Sequence, residues 1–303
     1  MKSDVEATPF LRSATADEQR LLAALDGERL PVHLAVIMDG NRRWARSRAL
    51  PSLMGHRSGV RAFRDLVRAS TDLGIRVLTA YAFSLENWKR SEKEVGILMR
   101  LFEHYSRKDR AEMLANGVRF RIIGDVAALP ARVRAEFEET SRVTAGNDRL
   151  ILNLAVNYGS RGEIVEALRH IAIEAKAGRL DPSTLTEDDL SSRLYTAGLP
   201  DPDLLIRTSG EIRVSNFLLW QMAYTEFWFT ERYWPDFSRL DLLHALIDYQ
   251  GRERRYGGGS DESGESAESV RPRPDLEVVR VGGSTMGRRP ATGEAVTMNE
   301  VKR

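Results

Sequence analysis

The chain of 303 residues contains no cysteine. Disulfides, thiolate metal sites and cysteine nucleophiles are therefore excluded, and the absence fits a reducing compartment. An excess of either charge is also missing, since 45 basic residues stand against 44 acidic ones for a formal charge of +1. Nucleic-acid binding through an overall field is not expected, and any basic function must be local. Long apolar runs are lacking too. The first twenty residues mix acids and bases without the apolar core of an export signal, so no export is expected. The most apolar later stretch, 216–230, is interrupted by Gln221, Thr225 and Glu226 and is too short and polar to span a bilayer. The expected location is the cytoplasm. There is no GxxxxGK(S/T) loop, no glycine-rich dinucleotide fingerprint, no HExxH pair and no GxSxG elbow. Nucleotide and common hydrolase mechanisms lose their usual support.

What the chain does have is a segment, HLAVIMDGNRRW from His33 to Trp44, in which an apolar run ends abruptly in polar residues. Leu34 to Met38 reads as a strand buried on both faces, as in a parallel sheet. Asp39, Gly40 and Asn41 then turn the chain, and Asn41 is placed to cap a helix beginning at Arg42, Arg43 and Trp44. Ligands of open α/β sheets bind at the carboxyl ends of strands, and helix N-termini attract phosphate. Guanidinium groups suit an anion and Asp39 offers a hard oxygen to Mg²⁺, so a magnesium diphosphate is the expected ligand. An ordinary strand, turn and capped helix with solvated arginines fits the same residues.

Further along, apolar residues at helical spacing alternate with short apolar runs. Strands are read at Ile75 to Phe83, Val118 to Ile123, Leu150 to Val156 and Leu204 to Ile206. Helices are read after Val60, from Ser91 with Glu94 in a capping box, from Ala131, from Ile164, after Thr186, and from Leu240. The segment from Phe217 to Trp234 reads as helix then strand. The alternation predicts one α/β domain over 31–256, with a mostly parallel sheet of about six strands flanked by helices. Residues 1–30 form an arm, and the Gly, Ser and Glu-rich 257–303 is expected to be a disordered tail.

Four predicted strand ends carry Asp39, Asn87, Asn157 and Arg207, which would bring their polar groups to one rim. Arg207, Arg213 and Ser215, in RTSGEIRVS, suit the oxygens of a second diphosphate, although a solvated surface turn is also compatible. His56 fits a satisfied histidine in a Gly-His loop. Glu226 lies between large aromatics and must be paired, exposed or bound to metal.

Taken together, HLAVIMDGNRRWA, GHRSG, YAFSLENWKR, IIGD, LNLAVNYGSR, DLLIRTSGEIRVSNFLLWQMAYTEFWF and RERRYGG resemble the cis-prenyltransferase family, and within it the bacterial undecaprenyl diphosphate synthases. The resemblance runs in order from about His33 to Gly258. It implies an enzyme that condenses an allylic diphosphate, such as farnesyl diphosphate, with successive isopentenyl diphosphates to give a cis-polyprenyl diphosphate, with undecaprenyl as the expected product. The implied cofactor is Mg²⁺, organised by Asp39, with Glu226 helping to hold it across a homodimer interface. Asn87 would join Asp39 in catalysis. Gly40, Asn41, Arg42, Arg43 and Trp44 would hold the allylic diphosphate, and Arg207, Arg213 and Ser215 the isopentenyl diphosphate. His56, Ser84, Glu86, Trp88 and Arg90 match further substrate-binding positions. An apolar tunnel would take the growing chain, with Ala82 and Leu150 along it and Leu98, Phe102 and Tyr105 in its wall. Its lipid product implies peripheral contact with a membrane. A partner subunit without activity, a short-chain synthase, or a module for another phosphorylated ligand are the alternative readings. Two departures stand out: Ser52 replaces a common arginine whose charge Arg48 or Arg57 would have to supply, and Ile212 stands where some relatives carry histidine.

Overall fold

A computed structural model describes residues 13–252. The expected tail at 257–303 and the first part of the arm lie outside them. Six strands form one sheet: β1 (His33–Ile37), β2 (Val77–Ser84), β3 (Val118–Ile123), β4 (Leu150–Tyr158), β5 (Leu204–Thr208) and β6 (Glu226–Thr230). Their order is β3-β4-β2-β1-β5-β6, and every neighbouring pair is parallel. The helices are α1 (Ala16–Ala24), α2 (Asn41–Ser47), α3 (Ser52–Leu73), α4 (Glu92–Ala115), α5 (Ala131–Val143), α6 (Ser160–Lys176), α7 (Glu187–Ser191) and α8 (Arg239–Gln250). β1 lies between β2 and β5, so successive crossovers leave it in opposite directions. The carboxyl end of β1 is thus the switch point, where a parallel sheet opens a crevice.

Side chains alternate across β1. Leu34 and Val36 join the larger core, which receives Leu66 of α3, Leu98 of α4, Phe137 of α5 and Leu242 of α8. Ala35 and Ile37 point to the other face and meet Tyr81, Ala155, Phe217 and Leu218. Both faces are covered, which is why the β1 sequence reads as a continuous apolar run.

Three expectations require correction. Asn41 does not cap α2; Gly40 holds the cap position with φ 104, and no side chain caps it. The turn out of β1 needs this left-handed residue, while the Asn41 side chain packs inward, where a Cβ on Gly59 would lie 2.1 Å from its Oδ1. α3 begins at Ser52, so His56 sits on its buried face and not in a loop. The segment after Phe217 forms turns before β6 and no helix; Ser215, Asn216 and Leu218 have φ of 50, 62 and 44, which stops helix growth.

The arm is tied down where it is described. Thr15 and Glu18 form a capping box on α1, and Arg239 of α8 donates to Glu18 Oε2 at 2.7 Å with both side chains largely buried.

A polar strip crosses the interior at the amino end of the sheet. His33 is fully buried, with Nδ1 2.7 Å from the Pro200 carbonyl and Nε2 2.7 Å from Thr79 Oγ1. A carbonyl only accepts, so the ring proton sits on Nδ1 and Nε2 accepts from the threonine hydroxyl. The Thr79 oxygen in turn accepts from Asn153 Nδ2 at 3.1 Å.

Burial pushes the His33 imidazole down from 6.5 to about 4, against the opposing hydrogen bond to Pro200. The unfolded chain therefore binds this proton first, and the associated stability is complete above 6.5 and is lost as pH falls toward about 4. The loss is on the order of 3 kcal/mol. Urea titrations across that window should show a steeper acid decline for the wild type than for His33→Gln; parallel declines would contradict the assignment.

Candidate active site

At the carboxyl end of β1, Asp39 is fixed through its backbone. Its N–H donates to Thr208 Oγ1 at 3.1 Å, and that hydroxyl donates back to the Asp39 carbonyl at 2.7 Å. The Trp234 N–H reaches the same carbonyl at 2.9 Å. Oδ1 accepts from the Gly40 N–H at 2.7 Å, which leaves Oδ2 to face the arginines.

Arg207 at the end of β5 is 3% exposed, and its Nη2 donates to Asp39 Oδ2 at 3.0 Å. Its Nη1 donates to Ser215 Oγ at 2.8 Å and to the Arg213 carbonyl. Arg43, one turn into α2, places Nη2 3.4 Å from Asp39 Oδ2 and Nη1 2.9 Å from Glu211. Its guanidinium also lies over the Tyr233 ring, 5.9 Å from the centroid. Arg213 turns outward, 59% exposed, and pairs with Glu211. Asp39, Gly40, Arg43, Arg207 and Ser215 are therefore brought together as expected, while Arg213 contributes its carbonyl to the centre and its side chain to the rim.

A second cluster forms beside the first, around Glu94 on the first turn of α4. Its carboxylate accepts from Arg90 Nη1 at 2.9 Å, with His56 Nε2 at 3.7 Å and Arg42 Nη1 at 3.8 Å. Burial, and then the Arg90 charge, hold the His56 imidazole below its usual value, with Glu94 opposing them. His56 is thus neutral near neutral pH. Glu94 was legible as a helix cap, but only half of that box forms, because Ser91 accepts from the Glu94 N–H while the carboxylate turns to the arginines. Nothing in local spacing separates these two uses of an acid at the third helical position.

The end of β2 carries the remaining candidates. Asn87 Oδ1 accepts from the Ser84 N–H at 3.3 Å, and Trp88 Nε1 donates to Asn157 Oδ1 at 2.6 Å across to β4. Glu86 is exposed. Trp44 points away from the centre, donating to Asp236 Oδ1 at 2.7 Å beneath the Arg48 guanidinium. Arg48 is committed to Asp236 at 3.0 Å, which leaves it unsuited to replace an arginine at Ser52. Thr208, Glu211 and Tyr233 join the site without having been singled out for it.

Glu226 is not brought to this centre within the chain. It begins β6, level with Leu204 at the amino end of β5, whereas Asp39 follows the carboxyl end of β1. The separation along the strands is about 15 Å. Its carboxylate instead accepts from Arg252 Nη1 at 2.9 Å.

An apolar cavity of about 130 Å³ opens beside the polar centre, with Asn41 and His56 at one end and Ala82, Leu98, Phe102 and Tyr105 along it. These last four match the wall expected from sequence. Leu150 does not line it; it is fully buried at the amino end of β4, beside Val118.

The donor set can be tested against a divalent cation. Asp39 is 32% exposed and supplies one hard oxygen ligand beside several guanidinium groups. Among the described residues no group of three or more His, Asp or Glu forms a metal cage. Mg²⁺ commonly takes one or two carboxylates and completes its shell with water and phosphate oxygens. The residues present fit Mg²⁺ carried on a diphosphate, which Asp39 would hold.

Fold and site together define an α/β protein with an arginine-rich rim at the sheet's switch point, next to an apolar cavity. Residues 37–257 match the prenyltransferase family model described as "Putative undecaprenyl diphosphate synthase". An isoprenyl transferase of Heliobacterium mobile is 51% identical over 251 residues, covering 82% of this chain and 96% of that protein. One from Agrobacterium fabrum is 52% identical over 233 residues, covering 77% and 94%. Among solved structures, lavandulyl diphosphate synthase from Lavandula x intermedia in complex with dimethylallyl diphosphate superposes with TM-score 0.74 at 40% identity, covering 76% of this chain and 99% of that one. The structure of a probable undecaprenyl diphosphate synthase from Campylobacter jejuni gives 0.63 at 34%, covering 75% and 98%. The chain belongs to the undecaprenyl diphosphate synthase family of prenyltransferases, enzymes that transfer prenyl groups.

Gly40 offers a direct check on the geometry. A Cβ there would lie 2.9 Å from both Ser209 Oγ and Tyr233 Cδ1, at a φ that side chains rarely adopt. Gly40→Ala should lower unfolding stability by about 1–3 kcal/mol. A urea midpoint equal to that of the wild type would contradict the close approach.

Proposed function

We propose that the protein elongates an allylic diphosphate with successive isopentenyl diphosphates, forming cis double bonds and releasing a polyprenyl diphosphate. Farnesyl diphosphate is the proposed primer and undecaprenyl diphosphate the proposed product. The observation that carries this reading is the junction of the Asp39, Arg43 and Arg207 centre with a cavity lined mainly by apolar side chains. Such a junction suits a ligand with a highly charged head and a hydrocarbon tail. Membership of the prenyltransferase family supports it.

In this reading the Gly40 turn, Arg42 and Arg43 hold the allylic diphosphate at the start of α2. Arg207 shapes the neighbouring pocket by holding Ser215 and the Arg213 carbonyl, and the exposed Arg213 guanidinium reaches the isopentenyl diphosphate. When bound, Mg²⁺ supplies charge neutralisation for the departing diphosphate. The arginines add to it, because preorganised cations stabilise charge that develops in the transition state. The isopentenyl double bond attacks the allylic carbon, the carbon–oxygen bond to diphosphate breaks, and a proton leaves the new chain. His56, Asn87, Trp88 and Arg90 border this space, with Glu94 aligning Arg90.

The protein acts as a homodimer in this proposal. Among the described residues β6 ends the sheet with no further strand beside it, and its Phe227 is 36% exposed. A second copy is the proposed source of the acidic Glu226 near the metal, which would require Glu226 to exchange its Arg252 partner. Among the described residues no helix is long and apolar enough to cross a membrane. Contact with the membrane is proposed as peripheral, from the cytoplasmic side, because the proposed product is a lipid.

Incubation of purified protein with Mg²⁺, farnesyl diphosphate and labelled isopentenyl diphosphate should place label in a long polyprenyl lipid, and chelation should stop it. No labelled lipid from farnesyl, geranyl or geranylgeranyl primers would overturn the proposal. Asp39→Ala should reduce turnover by roughly a thousandfold. Near-normal turnover in a folded variant would remove Asp39 from its assigned role.

A further inference from the structure

α6 begins without a side-chain cap of its own. Gly159 holds the cap position, and with no side chain it cannot accept from the first N–H groups of the helix, which need partners. Those partners come from the segment that follows Ser215. The Ser160 N–H donates to the Asn216 carbonyl at 2.8 Å, and the Arg161 N–H donates to Asn216 Oδ1 at 2.9 Å. In return the Leu219 N–H donates to Oγ of the fully buried Ser160 at 3.0 Å. A Cβ on Gly159 would lie 2.7 Å from Asn216 Nδ2, so the glycine also makes room for the contact.

This clasp bears on the arginine-rich centre through the backbone. Ser215 and Asn216 both hold left-handed conformations, with φ of 50 and 62, which residues with a side chain keep only where surrounding bonds impose them. Asn tolerates that region better than most residues, and here its carbonyl and its side chain are both held by α6. Ser215, one residue earlier, is thereby turned so that its Oγ accepts from Arg207 Nη1 at 2.8 Å. The Arg213 carbonyl meets the same nitrogen. Without the clasp, the two left-handed residues would relax toward ordinary backbone and carry Ser215 and Arg213 out of register with Arg207.

We propose that Asn216 is a positioning residue for isopentenyl diphosphate, tying the loop of Arg213 and Ser215 to the first turn of α6 so that it is already shaped when the diphosphate arrives. This rests on the assignment of that loop to isopentenyl diphosphate made above. A loop ordered in advance spares binding the cost of ordering it, so the clasp acts on affinity for isopentenyl diphosphate and leaves the allylic substrate at α2 unaffected.

The test uses Asn216→Gly, which keeps access to positive φ and deletes Oδ1. Calorimetry with isopentenyl diphosphate, and kinetics with farnesyl diphosphate and Mg²⁺, should show its Kd and KM for isopentenyl diphosphate raised roughly tenfold, with KM for farnesyl diphosphate unchanged. Asn216→Asp keeps an acceptor and adds a charge that a helix N-terminus favours, so it should stay within about threefold of the wild type. Wild-type constants in a folded Asn216→Gly would overturn the proposal. An equal rise for both substrates would also overturn it, because the cap would then serve only the fold. So would an Asp variant as weak as the Gly variant. Should Asn216→Gly fail to fold, Ser160→Ala, which removes the Leu219 tie alone, decides by the same split between the two substrates. A wild-type protein that binds isopentenyl diphosphate in neither assay would instead overturn the assignment of the loop.

Discussion

The buried guanidinium of Arg207 is the constraint on which the site depends. An arginine that is 3% exposed must find partners, and Arg207 finds them on two segments, one distant in sequence and one in the loop that follows it. Asp39 meets it after β1, Ser215 meets it through Oγ, and Arg213 meets it through the backbone. The loop that carries the last two is bent by consecutive left-handed residues at Ser215 and Asn216. Its shape is backed from beneath by Phe217, stacked on Tyr81 at 4.5 Å between centroids. The Tyr81 hydroxyl lies within hydrogen-bonding distance of the Tyr158 and Ser215 carbonyls, and Tyr158 donates to the buried Glu163. A change at this aromatic cluster therefore reaches the Asp39–Arg207 centre through a short series of named contacts.

The two faces of the sheet divide the labour. One face fills with Tyr81, Tyr158, Phe217 and Leu218, which hold the polar loop in place. The other supports α3 and α4, and between these helices and the strands lies the apolar cavity. Parallel strands make this possible, because all six deliver their carboxyl ends to one rim. A charged head and an oily tail can then be held by one ligand site without either crossing the sheet.

Much of this was legible in the sequence because it rests on local periodicity. The apolar run at Leu34 and the stripes of the helices, with Gly74 at φ 81 after α3, each carry their own signal. The convergence of Asp39 and Arg207 followed from strand ends in a parallel sheet, and their 3.0 Å contact agrees with it. What escaped depends on packing between distant segments. Gly40 takes the cap position in place of Asn41 because Asn41 is drawn against Gly59, fifteen or more residues on in another helix. Glu94 looks like a cap until Arg42, His56 and Arg90 are seen around it. The resemblance implies that Glu226 acts across a homodimer interface, and within the chain β6 starts at the opposite rim, where Arg252 holds it.

The central claim is that Asp39 and Arg207 act as one unit in recognising diphosphate. A double-mutant cycle with Asp39→Asn and Arg207→Gln, read as the dissociation constant for isopentenyl diphosphate by calorimetry, isolates their coupling. Losses that fall short of additivity by about 1 kcal/mol or more are expected. Strictly additive losses in folded variants would show that the two residues bind independently, and would contradict the claim.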